Sequence, residues 1–175
     1  MNASPFLLAI VGCCFMATCS RHELSRESLS VSIALPLQRD ERPLLMNNTG
    51  SFHVLLSNTT ASAQNVWEDW CSWGYFALRF RCMDASGKTW LIEKRPRDWT
   101  KNHASYVTLL PGESLVISVN LADKEIWAGV PSIKSSASKF TLQAMFEVER
   151  TAESDAMKVW VGKVESSPLV VMFYP

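Results

Sequence analysis

The chain has 175 residues, 47% of them hydrophobic and 19% charged, which excludes a disordered polymer and allows one domain with a real core. Lys plus Arg and Asp plus Glu number 17 each, so no net field draws in a polyanion and nucleic-acid binding is set aside.

Charge is unevenly spread along the chain. Residues 1–19, MNASPFLLAIVGCCFMATC, carry no charged side chain. The run is short for a membrane span, which needs about 20 apolar residues, and it reads as an export signal that lacks a basic leading region. Two processing routes fit it. Ile10-Val11-Gly12-Cys13 resembles a bacterial lipobox, with Cys13 the residue to be lipidated, whereas an ordinary signal peptidase would cut near residues 17–20. Residues 20–28 are polar and charged and read as a tether, leaving residues 29–175 as the domain.

From residue 29 the pattern is that of strands. Leu29, Val31, Ile33, Leu35 and Leu37 alternate with small or polar residues, and Pro36 suits an edge. A short strand is expected within 43–46, a turn at 47–50, and a strand carrying Phe52, Val54 and Leu56 on one face that ends at Asn58. The aromatic segment 66–75 feeds a strand from Gly74 to Met83 with Phe76, Leu78, Phe80 and Cys82 on one side. Asp84-Ala85-Ser86-Gly87-Lys88 is a hairpin turn into a partner at 89–94. Further strands are expected at 106–110, 115–121, 140–148, 158–164 and 169–173. Residues 122–138 are irregular and 151–155 form a hairpin tip. No amphipathic helix, repeat or second domain stands out. The fold expected is an all-β, immunoglobulin-like antiparallel β-sandwich of about eight or nine strands.

Of the five cysteines, Cys13, Cys14 and Cys19 fall in the signal, so Cys71 and Cys82 remain in the domain. A strand from Gly74 onward, rising about 3.3 Å per residue, carries Cys82 beyond the roughly 7 Å Cα separation a disulfide permits. Two free thiols are expected, with Cys82 in the core. Asn47-Asn48-Thr49 and Asn58-Thr59-Thr60 are glycosylation sequons, relevant only to a eukaryotic source.

Two stretches carry a resemblance. One is Leu110-Pro111-Gly112-Glu113-Ser114 followed by a strand, a Trp and Phe140-Thr141-Leu142-Gln143-Ala144; the other is the ending from Trp160 to Val171. Both are similar to bacterial extracytoplasmic immunoglobulin-like domains, and the first also resembles the bacterial intracellular proteinase inhibitor (BsuPI-like) family. The resemblance spans roughly residues 108–173. It implies a sandwich and carries over no inhibitory loop.

The chemistry-bearing residues are aromatic and basic. Trp67, Trp70 and Trp73 recur every third residue, which would align them on one stripe of a helical turn. Such a stripe suits stacking on sugar rings or a partner surface as well as plain packing. Glu68 and Asp69 between them suit hydrogen bonds to hydroxyls. Lys94, Arg95, Arg97, Lys101 and His103 surround Trp99 in a Pro-broken loop, a basic and aromatic patch diluted by Glu93 and Asp98. The three His are isolated in sequence, and no metal-ligand spacing, phosphate loop or nucleophile elbow occurs, so no catalytic residue, metal or cofactor is expected. The binding candidates are thus Trp67, Trp70, Trp73, Trp99, Arg95, Arg97 and Lys101. The function expected is a non-catalytic interaction domain at the cell envelope, facing a protein or glycan and touching the membrane through an N-terminal lipid if one is attached. Two alternatives stay open: a proteinase inhibitor presenting loop 95–104 or 126–138, and a small hydrolase whose Ser, His and Asp converge in space.

Overall fold

A computed structural model describes residues 28–35, 45–46, 51–133 and 138–173. The export signal with Cys13, most of the tether, Leu37 and the turn at 47–50 lie outside the described residues. In chain order the elements are β1 (Leu29–Ala34), β2 (Leu45–Met46), β3 (Phe52–Asn58), β4 (Gln64–Trp67), α1 (Ser72–Tyr75), β5 (Leu78–Asp84) and β6 (Thr89–Lys94). There follow β7 (Tyr106–Leu109), β8 (Ser114–Val119), β9 (Trp127–Ala128), β10 (Ser138–Val148), α2 (Ala152–Ala156), β11 (Gly162–Glu165) and β12 (Leu169–Phe173).

The protein is an all-β sandwich. One sheet has the order β1-β3-β8, and the larger has the order β2-β12-β10-β5-β6-β9, with β11 also on β10. A two-stranded ribbon pairs β4 with β7. Antiparallel pairing prevails, but β2 runs parallel to β12 at the edge of the larger sheet. Twelve strands among the described residues exceed the eight or nine expected. Among them β4 and β9, which no expected strand covers, are short pairings with no alternating run of their own.

Alternation selects which face is buried. Phe52, Val54 and Leu56 of β3 turn inward, as do Leu78, Phe80 and Cys82 of β5 and Phe140, Leu142, Ala144, Phe146 and Val148 of β10. Phe52 meets Phe80 edge-on across the sheets at 5.6 Å, and Phe80 in turn meets Trp127 at 5.4 Å. Fully burying one such side chain stabilises the fold by about 1.5–3 kcal/mol. Cys71 and Cys82 are both buried and unbridged, and burial, with the nearby Asp84 carboxylate, pushes the Cys82 thiol up to about 12.

Three local expectations are corrected. The strand foreseen from Gly74 begins only at Leu78, because residues 72–75 form the single helical turn α1 and Phe76 is exposed. Gly74 is required there, since a Cβ would lie 2.3 Å from the Glu68 carbonyl oxygen. The tip at 151–155 is the helical turn α2. Thr151 and Ser154 cap it reciprocally, and Lys158 ends it at φ 52°. The strand foreseen over 158–164 shrinks to β11.

Among the described residues, four buried polar ones interrupt the core: Asn58, Lys94, Ser154 and Ser166. Three of them close turns. Asn58 Nδ2 donates to the carbonyls of Ser62 (2.7 Å) and Leu109 (2.9 Å), while its Oδ1 accepts from Thr60. Both amide hydrogens are engaged, so this sequon is closed in the folded domain. Ser154 belongs to the α2 cap. Ser166 bridges the break between β11 and β12: its backbone N–H donates to Ala144 O at 2.8 Å, and its hydroxyl accepts from Ala144 N at 2.9 Å. The long strand β10 thereby keeps its ladder where the chain beside it is interrupted. Lys94 closes no turn.

Candidate binding groove

Lys94 follows Trp90 and Ile92 in the inward phase of β6, so strand parity drives its stem into the sandwich. Only 8% of the residue is exposed. Its ammonium lies 4.5 Å from the centre of the Tyr75 ring and 5.9 Å from that of Trp127, and it pairs with Asp69 Oδ2 at 3.8 Å, beyond good hydrogen-bond length. Burial pushes the Lys94 ammonium below the usual lysine value. Asp69 opposes that push, and the neighbouring Arg97 charge adds to it.

Arg97 approaches the same phenol ring. Its guanidinium carbon sits 4.6 Å from the centre of Tyr75 and 3.9 Å from that of Trp99, while Nη2 donates to Trp70 O at 3.0 Å. Tyr75 and Trp99 meet edge-on at 5.4 Å. Two cations and three aromatic rings thus converge at one end of β6.

Three chain segments hold this cluster. Residues 68–77 and 95–105 are stitched together by Glu68 N to Ser105 O (3.0 Å), Ser72 N to Asn102 Oδ1 (3.1 Å) and Asn102 Nδ2 to Ser72 Oγ (2.7 Å). The Glu68 carboxylate also accepts from the Ser105 hydroxyl. The third segment, 120–127, is tied on by Arg95, whose N–H donates to Ile126 O (2.7 Å) and whose Nε donates to Lys124 O (2.8 Å). Among the segments lies an open groove of about 310 Å³, walled by Asp69, Trp70, Tyr75, Lys94, Arg97 and Trp127, with Ser118, Asn120 and Asp123 at its margin. That volume is at the small end of ligand pockets, roughly 300–1,000 Å³.

The tryptophan stripe is corrected. Trp67 ends β4 and is buried, Trp73 sits half-buried in α1, and their rings lie 6.1 Å apart. They wall a second groove of about 460 Å³ with Phe76, Glu93 and Glu147. Trp70 turns the other way, 42% exposed and edge-on to His103 at 4.9 Å. The strand-to-helix change between Trp67 and Trp73 breaks the helical register that would have aligned all three. Of the remaining candidates, Arg97 and Trp99 join the cluster directly. Arg95 acts as a tie between loops, and Lys101 is exposed on the loop outside the groove lining. The inward phase of Lys94 and the position of Tyr75 were the residues missed. The parity of Trp90, Ile92 and Lys94 was the signal for the first.

His53 Nδ1 and Ser118 Oγ come within 3.3 Å on the outer face of the β3–β8 pair, both exposed, and His53 has no carboxylate partner among the described residues. No group of His, Cys, Asp and Glu suited to a metal ion occurs among the described residues, and none of the described helices is long and apolar enough to cross a membrane. Comparison with protein-family models and with curated proteins found no match.

Proposed function

We propose that this chain is an exported, non-catalytic β-sandwich domain of immunoglobulin-like type that recognises a protein or glycan at the cell envelope through the groove at the end of β6. The observation that carries the reading is Lys94. A buried ammonium held by rings and one long ion pair costs stability, since its pKa is driven down by burial. A site that spends stability and opens on a preformed groove is the usual mark of binding. Its surroundings fit recognition: exposed Trp70 at the rim, Arg97 clamped between rings, and polar groups at the margin. Loop 95–104 is pinned to residues 68–72, which favours a fixed wall over a protruding inhibitory loop.

The test is a binding screen of the purified protein against envelope glycans and proteins, with Trp70→Ala in parallel. Loss of binding by the variant with native circular dichroism retained supports the reading. Full binding by the variant removes this groove from it. Hydrolysis of generic esters that disappears in Ser118→Ala would instead bring forward a hydrolase built on the Ser118–His53 pair. Intact mass of the protein from its native membranes tests export: a chain starting at Cys13 with added acyl mass supports a lipoprotein, and a chain still bearing residues 1–19 in the soluble fraction overturns export.

A further inference from the structure

We infer that the outer edge of β8 is a dimer interface, along which a second copy of this chain adds its own β8 antiparallel across a two-fold axis at Val116. The inference goes beyond the groove reading and does not depend on it.

Hydrogen-bond parity shows what this edge offers. β8 ends the order β1-β3-β8. In an antiparallel pair, alternate residues turn their N–H and C=O toward the neighbouring strand and the others turn theirs away. Asn58 N donates to Glu113 O at 2.9 Å, so in this register Leu115, Ile117 and Val119 bond to Leu56, Val54 and Phe52. Ser114, Val116 and Ser118 therefore direct their N–H and C=O away from β3. The opposite side of β3 agrees, because Thr59 N donates to Ser28 O and so gives Ser57, Leu55 and His53 to β1. β7 reaches β8 through the Leu110–Glu113 turn, but it pairs with β4 and leaves the edge open. Among the described residues no backbone group bonds the outward N–H and C=O groups of Ser114, Val116 and Ser118.

The edge also lacks the devices that usually keep strands apart. Ser114–Val119 holds no charged residue and no proline, and its pairing with β3 runs without a bulge. Ser114 Oγ is engaged with Ser57 Oγ at 2.6 Å and Ser118 Oγ with His53 Nδ1, which leaves Val116, 56% exposed, as the apolar residue between them.

The occupant follows from the order of these residues. The outward series Ser114, Val116, Ser118 reads the same in both directions, so an antiparallel second copy presents an identical edge. With the two-fold axis at Val116, each Val116 faces its counterpart, and Ser114 faces Ser118 of the second copy. Every outward N–H then meets a C=O, the exposed valines cover each other, and no like charges are brought together. A shift of one residue would set these groups against ones already bonded to β3. The three-stranded sheets of the two copies become one continuous sheet.

The experiment is sedimentation velocity of the full protein over a concentration series, with Val116→Lys and Val116→Thr in parallel. Mild oxidation of Val116→Cys and Ser114→Cys, with peptide mapping to assign each crosslink, reads the register. The native protein is expected to dimerise reversibly with a Kd of about 10–100 μM. Val116→Lys sets two ammonium groups against each other at the axis and is expected to weaken the dimer by about tenfold or more, with native circular dichroism because the side chain is exposed. Val116→Thr keeps a neutral strand former and is expected to retain the dimer. Val116→Cys is expected to crosslink to its own counterpart, since directly paired Cα atoms lie about 5.5 Å apart. Ser114→Cys is expected not to, since its two copies lie more than about 13 Å apart along the strands. A protein that stays monomeric up to about 1 mM would overturn the inference. A dimer that Val116→Lys leaves intact would overturn its assignment to this edge, and crosslinking through Ser114→Cys but not Val116→Cys would overturn the two-fold at Val116. The crosslinking arm decides the matter even if Val116→Lys fails to fold, and the groove reading is decided separately by the Trp70→Ala screen.

Discussion

Replacing Lys94 with methionine separates what this residue does for the fold from what it does for the groove. Two cation–π contacts contribute about 0.5–1 kcal/mol each, and a pair with half-exposed Asp69 adds about 0.2–1 kcal/mol. Against these stands an effective desolvation cost of several kcal/mol for a buried ion. The lowered Lys94 pKa reports the same sign, since burial is its leading cause. Methionine keeps the length of the stem and gains sulfur contacts to Tyr75 and Trp127 worth about 0.3–1.5 kcal/mol. Asp69, left alone, hydrates. Lys94→Met is therefore expected to stabilise the domain by about 1–2 kcal/mol, at about 2–4 °C in Tm per kcal/mol, while abolishing ligand binding. Urea unfolding with an unchanged m-value measures the first effect and calorimetry the second. A loss of stability greater than about 1 kcal/mol would refute the reasoning, because Lys94 would then be a structural clamp and not a functional cost.

Further predictions concern the frame around the groove. Ser166→Ala leaves the buried Ala144 N–H without its hydroxyl acceptor and is expected to cost about 1–3 kcal/mol; a change below about 0.5 kcal/mol in thermal unfolding would contradict the bridging role. Asp84 accepts from Ser86 Oγ and from the amides of Ser86 and Lys88, and these bonds, the Ser86 hydroxyl first, hold its carboxyl below 3.8. A depressed carboxylate stabilises above its unfolded value and loses that contribution as pH falls through the folded one. The Tm advantage of the native protein over Asp84→Asn should thus narrow as pH drops below 3.8, and a pH-independent difference would be evidence against it. Cys71 and Cys82 are buried, so iodoacetamide at about pH 8 should label neither before unfolding; peptide mapping that finds native labelling of Cys82 would show its strand opening.

Much of the frame could be read from alternation. β3, β10 and β12 declare themselves because every second residue is apolar, and the Asp84–Lys88 turn because Gly87 supplies the positive φ of 85° that its hairpin needs. The short strands β4 and β9 were hidden, since each is defined by its partner and not by its own pattern: Val66 pairs with Val107, and Trp127 with Lys94. The groove was half legible. Arg97 and Trp99 stood out as a basic and aromatic loop, and Trp70 as one of a triplet. Their convergence on Tyr75 was not visible, because α1 turns the chain back through a contact that only Gly74 allows. Lys94 reads as part of a solvated basic run until its parity with Ile92 is weighed against it.

The most direct test of the account is hydrogen–deuterium exchange of the protein alone and saturated with the tightest ligand from the binding screen. The account predicts new protection confined to residues 68–77, 94–105 and 120–127, the end of β6 and the three segments that wall the groove. Protection centred instead on the outer face of β1, β3 and β8, with those three segments unchanged, would contradict it.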